Sequence, residues 1–163
     1  MTTAPAVQPA ITQLERRRIE AEMLADVHAA LCEVMPGPEA VAAIARATAR
    51  AAHRAGAAFA AAAPGGPGLE HFAGVVDVWR AGGALDVQDV ALDARTLRLT
   101  VTRCAYAELY IREMGLAPEL AQALSCSRDA AFARGYSPRL HMERSRTIAQ
   151  GAPHCAFLYR WDG

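Results

Sequence analysis

The sequence predicts an α+β fold: a four-stranded antiparallel sheet covered by helices, with a helical N-terminal half. Three observations carry that expectation. Up to about residue 80, apolar residues recur at helical spacing. From Leu85 to Thr102 the period shortens to two. The order of helices followed by alternating segments then repeats before the C-terminus. A chain of 163 residues with 53% apolar and 21% charged residues can bury a real core. We expect a flexible arm over residues 1–11 and one domain over 12–163.

Taken in order, Pro5 and Pro9 interrupt the first eleven residues. Thr12 with Glu15 three residues later has the form of a capping box, so a helix is expected from there to about Met35. Its stripe would be Leu14, Met23, Leu24, Val27, Leu31, Val34 and Met35. Arg16, Arg17 and Arg18 are balanced by Glu15, Glu20 and Glu22 and fit a solvated face. His28 and Cys32, four apart, are expected to pack in the core. Met35-Pro36-Gly37-Pro38 separates this helix from an alanine-rich one reaching about Ala62, with Val41, Ile44, Thr48, Ala52, Ala55 and Phe59 inward. Pro64-Gly65-Gly66-Pro67-Gly68 breaks the chain. A third helix follows, burying Leu69, Phe72, Val75, Val76 and Trp79 and ending at Gly82-Gly83.

Val87, Val90 and Leu92 then mark a short strand, and Asp93-Ala94-Arg95 a turn. In Thr96–Thr102, Leu97, Leu99 and Val101 alternate with polar residues, which completes a hairpin. Helices are expected from Ala105 to Met114, closed by Gly115, and from Pro118 to about Ala133, closed by Gly135. Leu140 to Ala149 alternates again. This strand would set His141, Glu143, Ser145 and Thr147 on one face and Met142, Arg144, Arg146 and Ile148 on the other. The last strand runs from His154 to Trp161, with Cys155, Phe157 and Tyr159 on its apolar face.

Composition narrows the function classes. Formal charge is zero, so no basic field points to nucleic acid or an anionic membrane. All 17 basic residues are arginine, which removes lysine amine chemistry. No apolar window is long enough to span a bilayer, and the N-terminus lacks the form of a secretory signal, so a cytoplasmic location is expected. In a reducing compartment the four cysteines read as thiols, ligands or core residues. The expected partner is a small-molecule substrate, and the alanine-rich helices permit a homodimer.

Reactive side-chain types concentrate between Val101 and Trp161. Cys104 falls where a strand gives way to a helix, a place where the helix field lowers a thiol pKa. It could equally be a small buried residue. Glu108, one turn on, could accept a proton, orient a ligand or bind an ammonium group. Cys126 and Asp129 share a helix face; the plainer reading pairs Asp129 with Arg128 or Arg134 and packs Cys126 inside. Cys155 reads as core. No cofactor is assigned, although Cys104, Cys126, Asp129, Cys155 or a histidine could hold zinc without any tight ligand spacing to mark it.

Together, Cys104-x-x-x-Glu108, Cys126-x-x-Asp129, Arg144-x-x-Thr147-x-x-x-Gly151 and Cys155-x-Phe157 resemble the L-2-amino-thiazoline-4-carboxylic acid hydrolase family. The resemblance covers roughly residues 85–161. It implies hydrolytic opening of a small sulfur- and nitrogen-containing ring. Cys104 or Cys126 would then be nucleophile or ligand, Asp129 a proton shuttle, and Glu108 the holder of the amino or amidine group. Arg144 would take the substrate carboxylate, with Thr147 and His141 also on the substrate. A biosynthetic enzyme of another reaction type on the same scaffold, or a non-enzymatic small-molecule or metal-binding module, are the alternatives.

Overall fold

The computed structural model describes residues 11–163; apart from Ile11, the expected flexible arm lies outside the described residues. Helix α1 (Gln13–Cys32) opens on the expected capping box. The Thr12 hydroxyl accepts from the Glu15 amide at 3.1 Å, and the Glu15 carboxylate accepts from the Thr12 amide at 2.7 Å. The buried face differs from the expected stripe. Ala21 is buried, with Leu14, Leu24 and Leu31 beside it. Met23, Val27 and Val34 face solvent, 66%, 39% and 78% exposed. Apolar residues lie on both sides of this helix, so periodicity alone could not choose. Ala21 joins the cluster around Ile44 of α2 (Gly37–Ala61). Cys32 is exposed rather than packed, its Sγ 3.6 Å from His28 Nε2.

Helix α2 starts at Gly37-Pro38 as expected. It buries Ala40, Ile44, Thr48, Ala52 and Gly56, whereas Ala55 is exposed. Gly56 is chosen because α7 (Ser127–Tyr136) crosses there: a Cβ on Gly56 would sit 2.1 Å from the Phe132 carbonyl oxygen. Gly135 is the matching contact, since its Cβ would sit 2.1 Å from the His53 carbonyl oxygen. Gly135 therefore lies inside α7 as a packing residue and does not terminate it. The expected third helix is two short ones, α3 (Leu69–Ala73) and α4 (Val75–Arg80), split at Gly74.

The sheet has strands β1 (Leu85–Leu92), β2 (Thr96–Cys104), β3 (Leu140–Glu143) and β4 (Cys155–Trp161), all antiparallel, in the order β1-β2-β4-β3. Asp93 holds the β1–β2 turn, accepting from the Arg95 and Thr96 amides at 2.8 Å each. Beyond a bulge with Asp89 at φ 51°, the outer end of β1 leaves Val90 and Leu92 exposed. Val101 pairs with Cys155, Leu99 with Phe157 and Leu97 with Tyr159. These side chains share the inner face, which packs on Phe72, Val75, Val76, Ala133 and Tyr136.

Strand β3 is four residues, not ten. The chain leaves the sheet at Arg144, so Ser145 and Thr147 do not share a strand face with His141 and Glu143. The helix expected from Ala105 to Met114 is α5 (Ala105–Ala107) running into a π-helical segment, Glu108–Glu113, closed by Gly115 at φ 67°. The next is α6 (Pro118–Ala121), a second π-helical segment, Gln122–Cys126, and then α7. Among the described residues, no helix is long and apolar enough to cross a membrane.

Candidate functional site

Two core clusters meet at the end of β2. One is built on the sheet, the other on α1, α2 and residues 106–124, and Cys104 packs against both. A groove of about 750 Å³ opens at this seam. Cys104 lies on its wall with Arg103, Glu108, Arg112, Gln122 and Gln150. Both π-helical segments border it. Such widened turns re-aim side chains and often mark functional positions.

Cys104 occupies the cap position of α5. The amides of Ala107 and Tyr106 donate toward its sulfur and favour the thiolate, as expected from the strand-to-helix junction. Burial outweighs them: the thiol pKa is pushed up to about 11 from 9.0. The sequence expectation of a lowered value is thus corrected. Two peptide amides on a single short turn do not replace the water that burial removes.

Glu108 faces the same groove. Its carboxylate accepts two bonds from the Arg103 guanidinium, at 3.0 Å and 2.5 Å. The Arg112 guanidinium, exposed on the same wall, forms no ion pair among the described residues.

Behind this wall lies a second constellation. Arg144 donates to the Asp129 carboxylate and, at 2.8 Å, to the Cys126 carbonyl. Its guanidinium carbon lies 4.9 Å from the Phe157 ring centroid. The Asp129 partner is therefore Arg144, not Arg128 or Arg134. Burial raises the Asp129 pKa despite that guanidinium. Cys126 is pushed up to about 12, by burial first and by the Asp129 charge second. Cys155 is buried, and its Sγ accepts from the Ile148 amide at 3.1 Å. The Tyr159 hydroxyl is fully buried, has no hydrogen-bond partner and lies within the field of Asp129 and Arg144.

Cys104, Cys126, Asp129 and Cys155 thus come within electrostatic reach of one another. They do not converge closely enough for coordination: among the described residues no group of three or more His, Cys, Asp or Glu side chains could hold a metal ion. Thr147 is buried and caps the turn Ile148–Gln150. Its hydroxyl accepts from the Gln150 amide at 3.2 Å, and the Gln150 side chain accepts from the Thr147 amide at 3.0 Å. Gly151 ends that turn at φ 82°, which favours glycine. The Arg-x-x-Thr-x-x-x-Gly spacing therefore shapes one wall of the groove. His141 lies outside the groove and bonds Asp162 at 2.8 Å.

Sequence reasoning missed Arg103, Arg112, Gln122 and Gln150 as groove residues. The five-residue spacing of Arg103 and Glu108 was the one signal available, and it reaches across a strand-to-helix junction that only the fold defines.

A family model described as L-2-amino-thiazoline-4-carboxylic acid hydrolase matches residues 16–159. No curated protein matches the chain. Among solved structures, the phenol-responsive sensory domain of the transcription activator PoxR, with phenol, is similar at TM-score 0.55 and 12% identity. That match covers 89% of this chain and 74% of the other. A trafficking protein particle complex subunit 3 from Naegleria fowleri, covalently bound to palmitic acid, is similar at TM-score 0.54 and 11% identity, covering 91% of this chain and 96% of the other. At these identities the likeness is one of fold.

Proposed function

The chain belongs to the L-2-amino-thiazoline-4-carboxylic acid hydrolase family, and from that premise we propose that it opens a small C=N-containing ring, such as a 2-aminothiazoline carboxylate, in the groove at Cys104. The observation that carries this reading is the composition of the groove, a thiol flanked by side chains of both charges. A cyclic amidine bearing a carboxylate calls for an acceptor for its N–H groups, a cation for its carboxylate and a group that adds to the C=N carbon.

Cys104 adds to the ring carbon between sulfur and nitrogen. Its thiol rests neutral, so its proton passes to the ring nitrogen as the C–S bond forms, the substrate serving as base. The tetrahedral adduct expels the ring sulfur, which takes a proton from the exocyclic amino group held by Glu108. Water then adds to the carbon left on Cys104. Asp129, kept protonatable by burial, accepts one water proton and returns it to the departing Cys104 sulfur, while the other passes to the imine nitrogen that gave its proton to the ring sulfur. The product is an N-carbamoyl cysteine. Arg112 holds the substrate carboxylate, because Arg144 already serves Asp129 and the Cys126 carbonyl.

The test is turnover of 2-amino-thiazoline-4-carboxylate by purified protein, followed by loss of ring absorbance and by product mass. Cys104→Ser and Asp129→Asn are expected to fold and to lose turnover. Full activity in Cys104→Ser would overturn the assignment.

One observation favours a second reading, a binding module without turnover: all three thiols of the C-terminal half rest neutral, with raised pKa values. It predicts stoichiometric ring binding by calorimetry with no product.

A further inference from the structure

A second groove, of about 590 Å³, lies between α2 and α7 and shares no residue with the one at Cys104. The two helices touch at Gly56 and Gly135, where backbone meets backbone, and the groove opens from that crossing toward Ala49 and Ser127. Its floor is alanine: Ala49, Ala130 and Ala131. Its rim is basic: Arg50, Arg54 and His53 from α2 and Arg134 from α7. Arg46 stands one turn before Arg50 on the same helix, and all four arginines are exposed. None of them forms an ion pair among the described residues. The only acids on the two helices are Glu39, at the far end of α2, and Asp129, which Arg144 occupies.

This concentration of charge is unusual for the molecule. The chain as a whole has no net charge; elsewhere on its helices Arg17 and Arg128 meet Glu20 and Arg18 meets Glu113, while Arg16, Arg80 and Arg112 form no ion pair among the described residues but do not gather around one groove. Unpaired guanidinia on a rim repel one another and gain from an anion that they can share. Methyl-lined floor beneath them gains nothing from a bare inorganic ion and is covered by an apolar body. The rigid Gly56–Gly135 contact fixes the groove in shape before anything enters it, which lowers the ordering cost of binding.

We infer that the α2–α7 groove is a binding site for a small organic anion with an apolar body, its carboxylate, phosphate or sulfonate on the arginine rim and its hydrocarbon on the alanine floor.

The experiment uses the full chain with two soluble probes, anilinonaphthalene sulfonate by fluorescence and decyl phosphate by calorimetry below its micelle concentration. One saturable site per chain is expected, weakened by added salt. Arg50→Glu and Arg134→Glu should each weaken it about tenfold or more, the loss of a charge-assisted bond. Arg50→Gln, a milder change on an exposed position, should weaken it in the same direction while leaving thermal unfolding unchanged. Arg112→Ala should leave it intact. Unsaturable binding, indifference to all three groove variants, or loss in Arg112→Ala would each overturn the site. Cosedimentation with anionic phosphatidylglycerol vesicles without binding of soluble decyl phosphate would also overturn it, by showing a membrane surface to be the partner.

Discussion

Arg144 and Asp129 form an ion pair that ties the end of β3 to α7, with the Arg144 side chain 9% and the Asp129 side chain 27% exposed. The same guanidinium holds the Cys126 carbonyl at 2.8 Å, so it also fixes the junction between the second π-helical segment and α7. Removing one member of such a pair strands the other away from water. Because Asp129 retains some exposure, Arg144→Ala is expected to cost about 3 kcal/mol, the lower end of the range for a broken buried pair. Asp129→Asn keeps an oxygen for Arg144 and should cost about 1 kcal/mol. Urea unfolding midpoints of the two variants check the order; equal costs would mean that the pair contributes little.

Thiol reactivity should follow exposure and not the strand-to-helix position of Cys104. Cys32 is exposed beside His28, Cys104 and Cys126 are half-buried, and Cys155 is buried. With a pKa of about 11, the Cys104 thiolate is roughly one part in 10,000 at pH 7. Iodoacetamide should therefore label Cys32 first. Labelling of Cys104 should rise about tenfold per pH unit up to about pH 10. Mass spectrometry of the adducts reads the order directly, and Cys104 labelled before Cys32 at pH 7 would contradict it.

The alternation of Thr96–Thr102 and of Cys155–Tyr159 made the two long strands legible, because a half-buried strand writes its period in every residue. The capping box at Thr12 and the left-handed Gly115 were legible for the same reason: the cause is local. The length of β3 was not. Arg144 ends it by reaching Asp129, fifteen residues earlier, and the residues after it still alternate. Gly135 looked like a stop and is a contact, a distinction held in the partner helix. The site split in the same way. Cys104 and Glu108 are one turn apart and were found, whereas Arg112 enters through the wider π-helical turn, which no local spacing announces.

The helix crossing supplies a stability test. Gly56→Ala and Gly135→Ala would each drive a methyl to 2.1 Å from a carbonyl oxygen of the facing helix. Backbone cannot rotate away as a side chain can. Each is expected to cost at least about 3 kcal/mol, at or beyond the upper end for overpacking. Gly37→Ala, at a glycine with nothing within 4 Å, should fall within about 1 kcal/mol of the parent and serves as the control.

Stability should fall on the alkaline side. Cys104 and Cys126 have folded pKa values of about 11 and about 12, above the 9.0 of a free thiol. Between those limits the folded state holds protons that the unfolded chain has released. Their contribution is thus complete below pH 9 and is lost as pH rises toward 11 and 12, at about 1.4 kcal/mol per pH unit per thiol. Urea midpoints should decline from about one pH unit below the free-thiol value to about one and a half above it, and the Cys104→Ser slope should be shallower. An unchanged slope in that variant would remove Cys104 as a cause.

The two arginines of the C-terminal half should separate in kinetics. Arg112 lies exposed on the groove wall without an ion pair, whereas Arg144 is spent within the protein. If Arg112 holds the substrate carboxylate equally in ground and transition states, Arg112→Ala should raise KM about ten- to hundredfold and leave kcat nearly unchanged. Arg112→Lys should recover part of the loss, since a point charge still attracts a carboxylate without the two-pronged fit. Arg144→Ala should instead lower kcat together with the urea midpoint, because it releases Asp129 and the Cys126 turn. Steady-state kinetics on 2-amino-thiazoline-4-carboxylate, with stability measured on the same samples, distinguish the two. A KM effect in Arg144→Ala with no loss of stability, and none in Arg112→Ala, would reverse their roles.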